Sequence, residues 1–443
     1  MLSLRCPAQN YAWGRPAEKS EVAKLAGLNG SIIDESKPFA ELWMGTHPSG
    51  PAVISGQDTT LKQWIEAHPE ALGDAVLKRF GTDLPYLFKV LSVQTALSIQ
   101  SHPDKKLAER LHAQQPQDYK DDNHKPEMAL ALEDFEALCG FVSSAELKEQ
   151  LRQQPELRLC VGEEAVSAIL QAEGEQAKSA LKAAFTALMT CDAEKVAGAI
   201  DTMVQRLSQD AAGARALSEK EALVLRLNQQ YPNDVGVLSA YFLNQVRLAP
   251  GEAIFLAANE PHAYVSGELV ECMAASDNVI RAGLTPKFRD TAVLCESLTY
   301  NTGTPEVLTG QRVHDHVKAY RPPFDEFEIQ HIEVPAGESV AVPTNPGPLL
   351  LLVHAGAGAA KAAEGSTVKD GALQQQAELH RGSIVFVPAG TSLTYDASAA
   401  GPLQIWVAAV NAKVFAAPVE APAEAAEAPA EAVEAVKERV LVA

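Results

Sequence analysis

Between Ala96 and His102 the chain alternates: Leu97 and Ile99 point to one side, Ser98, Gln100 and His102 to the other. A period of two is the mark of a β-strand. Most half-buried strands turn their polar side to water. Here that side offers an amide and an imidazole two residues apart, a poor solvent surface and a natural lining for the inside of a small barrel. The wider run 84–103 also reads as strands, since Val90, Val93 and Ile99 are β-branched and glycine is absent.

The pattern changes at 143–232. Ser143 followed by Glu146, and Ser218 followed by Glu221, fit capping boxes, and Leu181, Ala184, Phe185, Leu188 and Met189 recur at helical spacing. This block contains no histidine and reads as a helical insertion that supplies packing and a wall of a site. Short apolar strands resume at 241–248, 253–257 and 269–273, and a second strand-rich block runs over 327–415. A faint repeat links the two blocks. Segment 251–264 aligns without gaps on 382–395, each reading as glycine turn, strand, tight turn, strand. Two jelly-roll barrels follow from it. His262 of the first copy is Leu393 in the second, so a ligand at that position exists once. The segment 416–443 is rich in Ala, Pro and Glu, with six Glu against Lys437 and Arg439. It reads as a disordered tail.

Composition closes several routes. A chain of 443 residues is too long for one small core, and two or three domains are expected. The net charge of -20 argues against nucleic acid and anionic membrane partners. No signal peptide or bilayer-spanning run is recognisable. The six cysteines are scattered without a Cys-x-x-Cys pair, so neither a disulfide framework nor a thiolate metal site is suggested. A cytoplasmic protein with free thiols is expected. No Walker-type phosphate loop is present.

Gln100 and His102, with Glu127 in His124-Lys125-Pro126-Glu127 and His262 in Glu260-Pro261-His262, offer two imidazoles, one carboxylate and one amide oxygen. That set suits a divalent metal with nitrogen and oxygen preference, zinc first. Each residue also has a plainer reading: a solvated loop glutamate for Glu127, a satisfied core histidine for His262. Their joint occurrence near expected strands carries the metal reading. The His314-x-His316 pair reads as surface or connector, and Lys105 and Lys106 as surface charges on a following helix.

Asn10-Tyr11-Ala12-Trp13-Gly14, Glu41-Leu42-Trp43-Met44-Gly45-Thr46-His47-Pro48, Gln100-Ser101-His102-Pro103-Asp104-Lys105, His124-Lys125-Pro126-Glu127 and Arg281-Ala282-Gly283-Leu284-Thr285-Pro286-Lys287 together resemble the type I mannose-6-phosphate isomerase family. The resemblance runs in order over about residues 5 to 300, and more loosely to about 415. It implies a mainly β protein of cupin-type jelly-roll barrels with an α-helical insertion. The expected domains are a catalytic barrel in two parts, 1–142 and 236–320, a helical insertion at 143–235, a C-terminal jelly roll without metal at 321–415, and the tail at 416–443. It implies one zinc ion per chain on Gln100, His102, Glu127 and His262. It further implies catalytic roles for Arg281, Lys125, His124 and Asp277, and phosphate contacts by Ser98 and Lys89.

The implied reaction interconverts mannose 6-phosphate and fructose 6-phosphate by ring opening and a cis-enediol, feeding GDP-mannose synthesis and mannose catabolism. Zinc and the Arg281 guanidinium would stabilise the developing oxygen charge, or zinc would mainly orient substrate or water. The proton-transfer base is Lys125 or Glu271; Lys125 reads equally as a phosphate clamp. His124 would serve ring opening or orient a neighbour. Asp277 would act directly or hold Arg281 or His124. The expected partner is a small sugar phosphate, and the expected oligomeric state a monomer. An iron-dependent cupin oxygenase and a non-catalytic sugar-binding cupin are the competing readings; Gln100 argues against the first, Lys125, His124 and Arg281 against the second.

Overall fold

The computed structural model describes residues 1–213, 215–363, 371 and 373–416. The expected tail beyond Ala416 lies outside them. The site is organised by one strand, His262–Ala274, thirteen residues long. Its first half lies between Ile99–Ser101 and Phe135–Phe141, with His262 opposite both Gln100 and Cys139. Its second half lies between Tyr86–Val93 and Glu127–Ala131, where Glu271 is opposite both Lys89 and Ala129. One strand therefore serves two sets of neighbours in a branched ten-stranded sheet. The change of partners requires a bend. Gly267 supplies it at a φ of 126°, and a Cβ there would lie 2.9 Å from the Asp134 carbonyl oxygen and the Phe135 Cα.

The inside of this folded sheet is apolar at one end, with Leu91, Ala129, Phe135, Ile254 and Leu269 in a common cluster, and charged at the other. The alternation expected from 97 to 102 places Gln100 beside the charged end, while Ile99 packs into the apolar core shared with the helical block.

Helices from Ser144–Gln153 to Val235–Ser239 form that block. Ser218 and Glu221 make the reciprocal capping box; Ser143 accepts from the Glu146 N–H without the return bond. Leu181, Ala184, Phe185, Leu188 and Met189 are all buried on Glu175–Met189, the stripe a 3.6-residue period demands.

The C-terminal region is an eight-stranded sheet backed by a four-stranded one, with an apolar core between them. The strand orders do not close into barrels. The N-terminal strand Leu2–Arg5 pairs with Ile384–Val387, and Val53–Ile54 pairs with it in turn, extending the C-terminal sheet at its edge. A boundary that assigns all of 1–142 to the site region separates Leu2–Arg5 from Ile384–Val387. That pairing joins positions more than 300 residues apart, which local periodicity does not report. Among the described residues, no helix is long and apolar enough to cross a membrane.

Candidate functional site: a buried metal-ligand cluster in a charged cavity

Three elements deliver the cluster. Gln100 lies on Ile99–Ser101 with His102 just past it, Glu127 opens Glu127–Ala131, and His262 opens the long strand. The donor atoms of His102, Glu127 and His262 lie within 4.8 Å of one another, and all three residues are buried. His102 Nε2 is 3.3 Å from Glu127 Oε1, and His262 Nε2 is 3.4 Å from Glu127 Oε2.

The second nitrogen of each ring fixes its tautomer. His102 Nδ1 lies 2.7 Å from the Asn278 carbonyl oxygen and His262 Nδ1 3.0 Å from that of Glu260. A carbonyl only accepts, so each Nδ1 carries the hydrogen and each Nε2 lone pair faces Glu127. Burial pushes the His102 imidazolium down to about 4, against the pull of Glu127, so the ring is neutral at neutral pH. Burial alone would raise Glu127, but the two imidazoles and Lys125 outweigh it and hold the carboxyl well below the usual range. His262 Nε2 is buried with no hydrogen-bond partner among the described residues, a costly arrangement unless something else binds it. Two imidazoles and an ionised carboxylate form a donor set that fits a zinc-like ion.

Gln100 completes the set at a different angle. Its amide nitrogen is 3.4 Å from His102 Nε2, and its oxygen accepts from Ser98 Oγ at 2.9 Å. Turning the amide over exchanges the two atoms, and the Ser98 hydroxyl accepts as readily as it donates. With the amide turned over, its oxygen would face the cluster and its nitrogen would keep the Ser98 anchor.

A cavity of about 750 Å³ opens over this cluster, lined among others by Gln100, Lys125, Glu127, Glu271, Asp277 and Arg281. Lys125 Nζ stands 3.6 Å from Glu127 Oε1. Arg281 is opposite Gln100 across a strand pair, and burial lowers its guanidinium pKa. Ser98 and Lys89 also line the cavity. Lys89, however, is 7% exposed and lies between Glu41 at 3.0 Å and Glu271 at 3.2 Å. Burial works against its ammonium, but the two carboxylates overcome this and raise its pKa. Burial raises the Glu271 pKa, partly opposed by Lys89. Both Glu271 oxygens are engaged, Oε1 by the Tyr264 hydroxyl at 2.8 Å and Oε2 by Lys89.

Two residues stand differently from the sequence reading. His124 does not line the cavity; its Nε2 lies 2.6 Å from Glu326 Oε1 on the way to the C-terminal sheet. Asp277 does line it, but its carboxylate is 3.3 Å from His47 Nε2 rather than beside Arg281 or His124. The His47 contact holds that carboxyl below its ordinary range despite partial burial. His47 was overlooked as a site residue, as were Glu41, Trp43, Tyr264 and Lys287, all on the cavity wall. His47 and Lys287 fall inside stretches already conspicuous in the sequence; nothing local distinguishes them there. Lys287 is exposed, with no ion-pair partner among the described residues. His314 and His316 line a separate cleft.

Comparison with known proteins identifies the family. The profile of the phosphomannose isomerase type I catalytic domain matches residues 1–143, and that of the type I helical insertion domain matches 160–243. Mannose-6-phosphate isomerase 1 of Arabidopsis thaliana is 46% identical over 418 residues, covering 93% of this chain and 94% of its own. The mannose-6-phosphate isomerase of Homo sapiens is 42% identical over 409 residues, covering 89% and 95%. A solved zinc-bound mannose 6-phosphate isomerase superposes with a TM-score of 0.77 at 29% identity, over 93% of this chain and 99% of that one. The chain belongs to the type I phosphomannose isomerase family.

Proposed function

We propose that the cavity interconverts mannose 6-phosphate and fructose 6-phosphate. The observation that carries this reading is that the His102–Glu127–His262 cluster meets the cavity through Glu127, with Gln100, Lys125 and Arg281 on the same wall. Gln100, His102, Glu127 and His262 would hold one zinc ion. When bound, zinc supplies Lewis-acid stabilisation of charge developing on substrate oxygens.

The protein's own groups divide the remaining work. Isomerisation opens the sugar ring and moves a proton between carbons 2 and 1 through a cis-enediol. Lys125 takes that proton and returns it. Glu271, the other candidate base, has both oxygens occupied and acts by holding Lys89 and Tyr264 in place. The Arg281 guanidinium stabilises negative charge on the enediol oxygens in a site arranged before the reaction. His47, oriented by Asp277, exchanges the hydroxyl proton during ring opening, since His124 is engaged by Glu326 and does not line the cavity. Lys287 and Ser98 receive the phosphate, since Lys89 is already neutralised by two carboxylates.

Assay of the zinc-loaded protein with mannose 6-phosphate, coupled to detection of fructose 6-phosphate, tests the proposal. Turnover is expected, and Arg281→Ala should lower kcat on the order of 100- to 1000-fold with zinc content unchanged. Inertness of the parent toward mannose 6-phosphate would sink the reading. Stoichiometric iron with oxygen consumption would favour a cupin oxygenase instead.

A further inference from the structure

The face that the C-terminal sheet turns toward the site sheet changes character along its strands. Tyr320, Ile329, Ala408 and Leu350 are cross-strand neighbours in one row, all buried in the core beneath the site sheet. Two residues along each strand, the next row on that face is Lys318, His331 and Trp406, with Arg312 opposite Lys318. Beyond it Glu333 pairs with Gln404. At these polar rows the two regions part. They leave a cleft of about 800 Å³, closed on its far side by residues 131–132 and 250–252. It is as large as the active cavity and shares no lining residue with it.

We propose that this cleft is a second ligand site, and that it takes a phosphorylated sugar. The wall has the groups such a ligand needs. Lys318 has no ion-pair partner among the described residues, and Arg312 beside it holds only Asp315, at 2.9 Å. The pair can receive a phosphate. His331 packs on Trp406 with ring centroids 4.2 Å apart and planes tilted by 32°, giving an aromatic floor on which the C–H face of a sugar ring can rest. Glu333 and Gln404 have no side-chain hydrogen bonds among the described residues, and they supply acceptor and donor for hydroxyls.

Two further facts point the same way. The indole N–H of Trp406, in a residue only 5% exposed, has no hydrogen-bond partner among the described residues, and neither has His314 Nδ1. Unsatisfied buried donors are rare in folded proteins. Burial, then the Lys318 and His354 charges, push the His331 imidazolium down to about 4.

Titration of the full zinc-loaded chain with glucose 1-phosphate tests the proposal, because esterification locks its anomeric carbon and the isomerase cannot turn it over. Calorimetry should give one site per chain, with a change in Trp406 fluorescence that Trp406→Phe removes. The double variant Arg312→Ala/Lys318→Ala should weaken that binding at least tenfold while leaving isomerase turnover unchanged. Fructose 6-phosphate separates the sources. If the cleft takes the enzyme's own product, the parent binds two per chain and the double variant one; if it takes only other sugar phosphates, both bind one. Absence of glucose 1-phosphate binding overturns the proposal. So does equal affinity in parent and double variant, which would place the ligand in the active cavity. Inorganic phosphate binding as tightly as the sugar phosphate would overturn the sugar class. The glucose 1-phosphate titration does not depend on turnover, so failure of the isomerase reading remains distinguishable.

Discussion

The segments 251–264 and 382–395 are built to one plan and put to different uses. Gly251 and Gly382 both hold a φ of 85°. Each turn leads into a four-residue strand, Ala253–Leu256 or Ile384–Val387, and then into a strand that opens on His262 or Leu393. His262 faces Gln100 across its sheet and approaches Glu127. Leu393 faces Val342 and Ala362 and is buried in an apolar core. The frame is the same; the neighbours decide whether its first residue is a ligand or packing. The site region holds Glu41, Lys89, Glu127, Glu268 and Glu271 buried. Its counterpart fills the equivalent space with aliphatic side chains, so one region gives up stability for chemistry and the other supplies it.

Exchanging the two residues breaks the comparison most severely. His262→Leu should abolish stoichiometric zinc binding and lower turnover by at least the order of 1000-fold, with the fold kept. Leu393→His should bind no metal and cost about 2 to 4 kcal/mol, because the imidazole enters a core without partners. Metal analysis and denaturant melts of both variants measure this. Metal bound by Leu393→His would show that the frame, not its neighbours, makes the site.

A smaller effect concerns buried charge. Glu268, on the long strand, is held by Ser92 Oγ at 2.5 Å and by Arg15 at 3.0 Å. Burial nevertheless pushes its carboxyl up to about 7. A raised acid pKa means that the folded state binds the proton more tightly. The resulting stability is complete below the unfolded value near 4.5 and is lost as pH rises through about 7. The span is worth on the order of 3 kcal/mol. Glu268→Gln should therefore lose less stability than the parent between pH 5 and pH 8. Parallel pH curves for parent and variant would remove buried charge as the distinction between the regions.

The smallest test uses the tyrosines that end the two segments. Tyr264 donates to Glu271 at 2.8 Å, whereas the buried Tyr395 hydroxyl has no partner among the described residues. Tyr264→Phe should cost about 1.5 to 3 kcal/mol, since it strips a hydrogen bond from a buried carboxylate. Tyr395→Phe should change stability by less than about 0.5 kcal/mol or raise it. Equal losses in thermal melts would mean that the Tyr395 hydroxyl is satisfied in solution.

Much of this contrast was legible in the chain. The step from Ile99 to Gln100 marks an inward polar face, although Leu97 joins Ser98 and Gln100 on the cavity wall because the strand begins only at Ile99, and the repeat marks Leu393 as the position where the second region lacks a ligand. The helical insertion shows in its caps and its apolar stripe. The cavity wall was legible only in part. His47 and Lys287 sit in conspicuous stretches, yet no spacing rule separates a histidine that meets Asp277 from one, like His124, that turns to Glu326.

Short-range order therefore belongs to the sequence: strand and helix periods, caps, turn glycines and the chemical types of the ligands, all carried by residues within a few positions of one another. Tertiary structure decided what meets across the fold. It set Lys89 between Glu41 and Glu271, joined Leu2–Arg5 to Ile384–Val387, and opened a cleft where the C-terminal sheet turns polar. Those contacts depend on how strands far apart in the chain come into register and on where Gly267 bends the long strand. A residue's sequence neighbours carry no record of either.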